Sequence, residues 1–211
     1  IYEVLGERTI ALAQKEKLRE AGHEDYREAI KLMFAKAYNM PLDFVYKYQK
    51  KHEDLDENAT FFLNMVNRRL AGEPVSHIIR SRNFWKSEFY IKETVLDPRP
   101  ESELVLEVTK DMLFGGMKVL DLGCGSGCIG LSLYNENPEM RLFLSDISAK
   151  ALNVAKKNAE NLGFACEFVH SNLFEKIKGK FDLIVANLPY IEKKSFSILQ
   201  KEIILYEPHE A

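Results

Sequence analysis

The chain has 211 residues, 46% hydrophobic and 29% charged, with 13 Phe and 9 Tyr among abundant aliphatic residues. That content supports a sizeable core in one large domain or two small ones and excludes a disordered chain. No stretch approaches ~18 apolar residues without a charge, the first twenty residues are too charged for a secretory leader, and the net charge of −3 offers nucleic acid no global attraction.

Residues 1–73 read as helices. Ile30, Met33, Phe34 and Ala37 repeat at i, i+3, i+4, i+7, and Phe62, Met65, Val66 and Leu70 nearly so. Pro41 suits the first turn of a helix, and Gly22 and Gly72 sit where helices should stop. Four helices are expected, the third short, with their apolar stripes facing each other in a small bundle. The Lys and Arg interleaved with Glu and Asp are expected on a solvated face. Residues 74–100 read as a linker with a β-hairpin, from the β-prone Phe84, Phe89, Tyr90, Ile91 and Val95 and the extended Asp97-Pro98-Arg99-Pro100. Glu101–Leu113 reads as a helix.

From Met117 onward, strands Lys118–Leu122, Arg141–Ser145, Glu167–His170 and Phe181–Ala186 alternate with helices Cys128–Asn135 and Ala149–Leu162. This is an α/β pattern, a parallel sheet covered on both faces. The expected domains are 1–73, 74–100 and 101–211. The chain opens on Ile1, so residues are expected to have been lost before it. Cys124, Cys128 and Cys166 are too sparse for a disulfide framework, and a reducing cytoplasm is expected. Cys124 and Cys128 lack nearby partners for a zinc site, so no metal is expected and both read as small buried residues.

The strongest local signal is Asp121-Leu122-Gly123-Cys124-Gly125-Ser126-Gly127, between a strand and a helix. Its glycines permit a tight turn and close ligand approach, and the helix N-terminus presents free N–H groups. Asp146 ends the next strand, where a carboxylate can accept both ribose hydroxyls. The loop resembles the nucleotide loop of Rossmann-like S-adenosylmethionine-dependent methyltransferases. That resemblance implies that Gly123 through Gly127 and Asp146 hold S-adenosyl-L-methionine, with S-adenosyl-L-homocysteine as product. Asp121 would face the amino-acid part of the cofactor, directly or through water.

Asn187-Leu188-Pro189-Tyr190 follows the fourth strand, on the same rim as the glycine loop. It resembles the Asn-Pro-Pro-Tyr signature of methyltransferases acting on planar nitrogens, with Leu188 in place of a Pro. An amide nitrogen is a poor nucleophile carrying two N–H donors. The Asn187 side-chain oxygen and the Leu188 carbonyl can accept both, Pro189 stiffens that carbonyl, and Tyr190 can pack on the planar group. Asn-Leu-Pro-Tyr also resembles ribosomal-RNA adenine dimethylases, so the tetrapeptide alone leaves the substrate open.

Other segments resemble the bacterial release factor glutamine methyltransferase family: Asp97-Pro98-Arg99-Pro100-Glu101-Ser102-Glu103, with Ser102 for a Thr and Asp97 for an Ile; Arg69 to Val75; Phe84-Trp85; and Glu207-Pro208-His209-Glu210-Ala211. The resemblance implies a Rossmann-like class I methyltransferase domain behind a helical domain that grips the release factor, a cytoplasmic monomer, and the glutamine of the Gly-Gly-Gln motif as substrate. Ser171-Asn172-Leu173-Phe174 matches a Ser-Asp-x-Phe pattern of that family, in which the acid contacts the adenine amino group. Asn172 retains an acceptor without the charge. Arg99 is expected either at the substrate or paired with a carboxylate, and Trp85 and Phe84 either in the cleft or in packing. The five His are scattered and none is assigned to catalysis.

The family implies seven strands, so about three are expected beyond Ala211, and a protein of these residues alone is expected to be unstable and nearly inactive. The rival readings are a ribosomal-protein glutamine methyltransferase, an RNA or DNA adenine methyltransferase, for which Lys193-Lys194 is thin support, and a non-catalytic cofactor-binding protein.

Overall fold

The structure is a computed structural model that describes residues 6–45 and 56–189. It divides into two compact units that meet in sequence between Ile79 and Arg80.

The first unit is helical: α1 (Gly6–Glu20), α2 (Tyr26–Ala37), the short α3 (Leu42–Val45), α4 (Glu57–Leu70) and α5 (Val75–Ile79). The periodic residues do face one core, where Met33, Phe34 and Phe62 are buried with Leu18 and Ile78, and the Phe34 and Phe62 rings meet edge to face at 5.4 Å. Gly22 and Gly72 adopt positive φ (84° and 96°) and end α1 and α4. In each case the next N–H reaches back five residues, His23 to Leu18 O and Glu73 to Arg68 O, which satisfies the orphan carbonyls. Asp56 caps α4 by accepting the Ala59 N–H at 2.7 Å. Arg69 departs from the expected solvated face. It is 4% exposed, and its guanidinium meets Asp25 Oδ1 at 2.9 Å. Its burial is tolerated because the charge is paired.

The second unit opens with a hairpin, β1 (Arg82–Phe84) and β2 (Ser87–Phe89), in antiparallel register. The hairpin falls within residues 74–100, where the sequence places one. Phe84 and Phe89 are buried in the core of the second unit, with Ile91 and Val95 beside them, while α5 belongs to the first unit's core. Trp85 turns the hairpin at φ +54°, a left-handed conformation unfavourable for a bulky residue. Its backbone N–H donates to Glu103 Oε1 at 2.8 Å and its indole Nε1 to Glu136 Oε1 at 2.6 Å, which hold it there. The predicted helix 101–113 is instead a 3-10 turn (Pro100–Ser102), α6 (Glu103–Thr109) and a second 3-10 turn (Lys110–Met112).

The sheet contains β3 (Lys118–Leu122), β4 (Arg141–Asp146), β5 (Glu167–His170) and β6 (Leu183–Ala186), all parallel, in the order β5-β4-β3-β6. Helices α7 (Cys128–Glu136) and α8 (Ala149–Leu162) follow β3 and β4. Val119, Leu142, Leu144 and Val185 share the core with Ile129, Leu131 and Leu152 of these helices. Coverage of the other face is uneven: Leu120 and Leu122 are buried, while Ile184 on β6 is 46% exposed. The chain passes from β3 through β4 to β5 on one side and returns to β6 on the other. The carboxyl ends flanking β3 therefore form a switch-point crevice.

Candidate active site

Each strand delivers one part of the site at its carboxyl end. The loop after β3 is the most constrained, and Gly123, Gly125 and Gly127 stand at φ +73°, +55° and +79°, which only glycine adopts readily. The N–H groups of Gly123 and Cys124 both donate to Ser145 O, at 2.8 and 2.9 Å, and Gly127 N–H donates to Cys124 O at 2.8 Å. Asp146 closes the loop from β4: its Oδ2 accepts the Gly125 N–H at 2.9 Å and its Oδ1 the Ser148 N–H at 2.8 Å. Each oxygen keeps a lone pair for a further donor, such as a ribose hydroxyl. A Cβ on Gly125 would meet nothing within 4 Å, so the loop faces open space there.

Asp121 is 1% exposed, and its Oδ2 accepts the Gly130 N–H at 2.9 Å, one of the orphan donors opening α7. Burial pushes this carboxyl up to about 7; the Gly130 N–H opposes the shift and the nearby Asp146 charge adds to it. The close approach depends on Gly130, because a Cβ there would lie 2.7 Å from Leu144 Cδ2 and 2.9 Å from Asp121 Oδ2. Burial also pushes up the Cys124 and Cys128 thiols, the latter to about 12, so both stay protonated and are no nucleophiles.

Asp121, Gly123 to Ser126, Cys128 and Asp146 line a cavity of about 400 Å³. Of the residues singled out in the sequence, Arg99, Asp121, Gly123, Cys124, Gly125, Ser126, Asp146, Asn172, Leu173, Asn187, Leu188 and Pro189 all line it. Gly127 stands behind the wall as the cap residue of α7, and Tyr190 lies outside the described residues, as do Lys193-Lys194 and Glu207 to Ala211. The Asn187 amide donates to Ser102 Oγ at 3.4 Å, a long hydrogen bond that joins the Pro-Arg-Pro-Glu-Ser-Glu segment to the Asn-Leu-Pro segment across 85 positions. Leu188 packs on Gly123, where a Cβ would come within 2.6 Å of Leu188 Cδ2. The Asn172 side-chain N–H donates to Glu175 Oε1 at 2.9 Å, which leaves its oxygen as the acceptor.

Sequence reasoning missed Thr94 and Leu96, which also line the cavity, and offered no signal for them. It missed Gly130 as well, although a glycine inside a helix is itself a mark of close packing. Trp85 and Phe84 do not line the cavity and serve in packing. Among the described residues no cluster of three or more His, Cys, Asp or Glu is placed to hold a metal ion.

A parallel sheet with a glycine loop, a strand-ending Asp and an Asn-Leu-Pro segment on one rim is the arrangement of an S-adenosylmethionine-dependent methyltransferase. In agreement, the Methyltransferase small domain family matches residues 96–207 and the PrmC N-terminal domain family matches residues 12–79. A release factor glutamine methyltransferase of Agrobacterium fabrum is 34% identical over 93% of this chain and 71% of its own length. One of Leptospira interrogans is 39% identical over 77% of this chain and 59% of its own. The chain belongs to the release factor glutamine methyltransferase family. It spans between 55% and 71% of the length of the first curated relatives it matches. Among solved structures, a T. thermophilus 16S rRNA N2 G1207 methyltransferase in complex with AdoMet and guanosine aligns with TM-score 0.45 and 24% identity over 53% of this chain and 32% of that one.

Proposed function

We propose that the protein methylates the side-chain amide nitrogen of the glutamine in the Gly-Gly-Gln motif of peptide chain release factors. The observation that carries this reading is Asn187, whose N–H₂ is engaged by Ser102 so that its oxygen is left to accept, on the cavity wall that also holds the glycine loop. Bound S-adenosylmethionine supplies an electrophilic methyl group. Asp146 would accept the ribose hydroxyls, the Asn172 oxygen the adenine amino group, and Asp121 would face the cofactor's ammonium group. The Asn187 oxygen and the Leu188 carbonyl accept the two N–H donors of the glutamine amide, which fixes the nitrogen and turns its lone pair toward the methyl. Pro189 limits the movement of that carbonyl, and Tyr190 is assigned from sequence to pack on the amide plane. Arg99, which also lines the cavity, is assigned to the substrate. Positioning of this kind supplies up to roughly 7–11 kcal/mol without a side-chain base, the proton leaving after transfer.

The helical unit is the part assigned to gripping the release factor. The protein is expected to act as a monomer in the cytoplasm, where release factors work. Among the described residues no helix is long and apolar enough to cross a membrane.

The test is methyl transfer from labelled S-adenosylmethionine to a purified release factor and, separately, to ribosomal RNA. Label on the release factor that disappears when the Gly-Gly-Gln glutamine is replaced establishes the reading. Label on the RNA moves the same site to adenine and overturns it.

A further inference from the structure

The hydrogen-bond geometry points to Asn158 as a positioning residue that couples the two walls of the cavity, tying the segment after the hairpin to the cofactor loop. Asn158 lies inside α8, where asparagine is a poor helix former. It is 1% exposed and does not line the cavity. Its amide is fully used. The oxygen accepts the Tyr90 N–H at 2.7 Å, and the N–H₂ donates to Tyr90 O at 3.0 Å and to Ser126 O at 2.9 Å.

The two ends of this link matter for different reasons. Ser126 O and Gly127 N–H belong to one planar peptide. Its oxygen is held by Asn158 and its N–H by Cys124 O at 2.8 Å, so the plane is pinned on both sides and cannot flip as the loop meets a ligand. At the other end one side chain engages both the N–H and the C=O of Tyr90, as a neighbouring strand would. A few residues on, Thr94, Val95 and Leu96 form cavity wall, anchored by the buried Ile91 and Val95. A ligand that orders the glycine loop thereby orders the wall facing it.

The inference rests on the glycine loop being the S-adenosylmethionine site. Asn158→Asp keeps the shape but turns a carboxylate oxygen toward the two carbonyls. Isothermal titration of the full-length variant with S-adenosylhomocysteine at pH 8 is expected to show roughly tenfold weaker binding than wild type. The gap should narrow toward pH 5 as the carboxyl protonates and regains a donor. A ratio to wild type that stays within about twofold at pH 8, or that is the same at both pH values, overturns the proposal. In the wild-type protein, saturating S-adenosylhomocysteine is expected to slow hydrogen exchange at the Tyr90 amide, which lies outside the cavity. Unchanged exchange there overturns the coupling even if the variant does not fold. Wild type that binds no S-adenosylhomocysteine would instead overturn the cofactor reading, which separates the two failures.

Discussion

Asp121 shows how one buried group links stability and binding. Its folded-state carboxyl stands at about 7 against an ordinary 3.8, so the folded chain holds a proton there that the unfolded chain has released. The stabilisation from this group is therefore full below pH ~4 and is lost as the pH rises to about 7. Asp121→Asn keeps an acceptor for Gly130 but cannot ionise. Thermal melts from pH 4 to 8 are expected to fall less steeply for the variant than for wild type, and parallel curves would contradict the assignment. Cofactor binding should move the opposite way. A cationic ligand favours the ionised carboxylate, so wild-type affinity for S-adenosylmethionine should rise from pH 6 to 8, and the variant should lose that rise along with about tenfold in affinity.

At the scale of elements, the fit of α7 against β3 and β4 turns on Gly130. Helix propensity alone favours alanine there by about 1 kcal/mol. The added Cβ, at 2.7 Å from Leu144 Cδ2, must displace a buried side chain or the Asp121 carboxylate, and overpacking of this kind costs typically 1–3 kcal/mol. Overpacking wins, so Gly130→Ala is expected to lower the melting temperature, and a stabilised variant would show that the helix can shift freely. The segment Pro100–Ser102 has a parallel role toward the loop after β6. Ser102→Ala removes the partner of the Asn187 amide and should reduce kcat several-fold while leaving S-adenosylhomocysteine affinity near wild type. Ser102→Thr, which keeps the hydroxyl, should retain most of the rate. Equal losses in both variants would mean that volume, not the hydroxyl, matters.

At the scale of the whole molecule, the two units have separate cores and, in the proposed function, separate tasks. Replacing Arg69 by Leu removes a buried charge from the first unit and leaves Asp25, itself half-exposed, to water. The expected outcome is a raised KM for the release factor with an unchanged dissociation constant for S-adenosylhomocysteine. A matching loss in cofactor binding would contradict the division of labour.

The sequence by itself determined what depends on near neighbours. The strand, Gly123 to Gly127 and the following helix were legible because positive φ at fixed positions admits little but glycine. The helix ends at Gly22 and Gly72 followed from the same rule, and the helical and strand periods marked the elements around them. Asp146 and Asn187 could be placed on one rim because parallel strands put all their carboxyl ends together. The tertiary structure alone decided which of these groups touch. The bond of Asn158 to Tyr90 spans 68 positions, that of Asn187 to Ser102 spans 85, and that of Trp85 to Glu136 spans 51. No local period encodes such pairs, since they exist only once the core has brought distant segments within hydrogen-bonding reach. One trace was present beforehand: Asn158 falls on the buried stripe of α8 with Ala151, Ala155 and Ala159, a polar side chain where an apolar one was due. A buried amide needs partners, and only the fold names them.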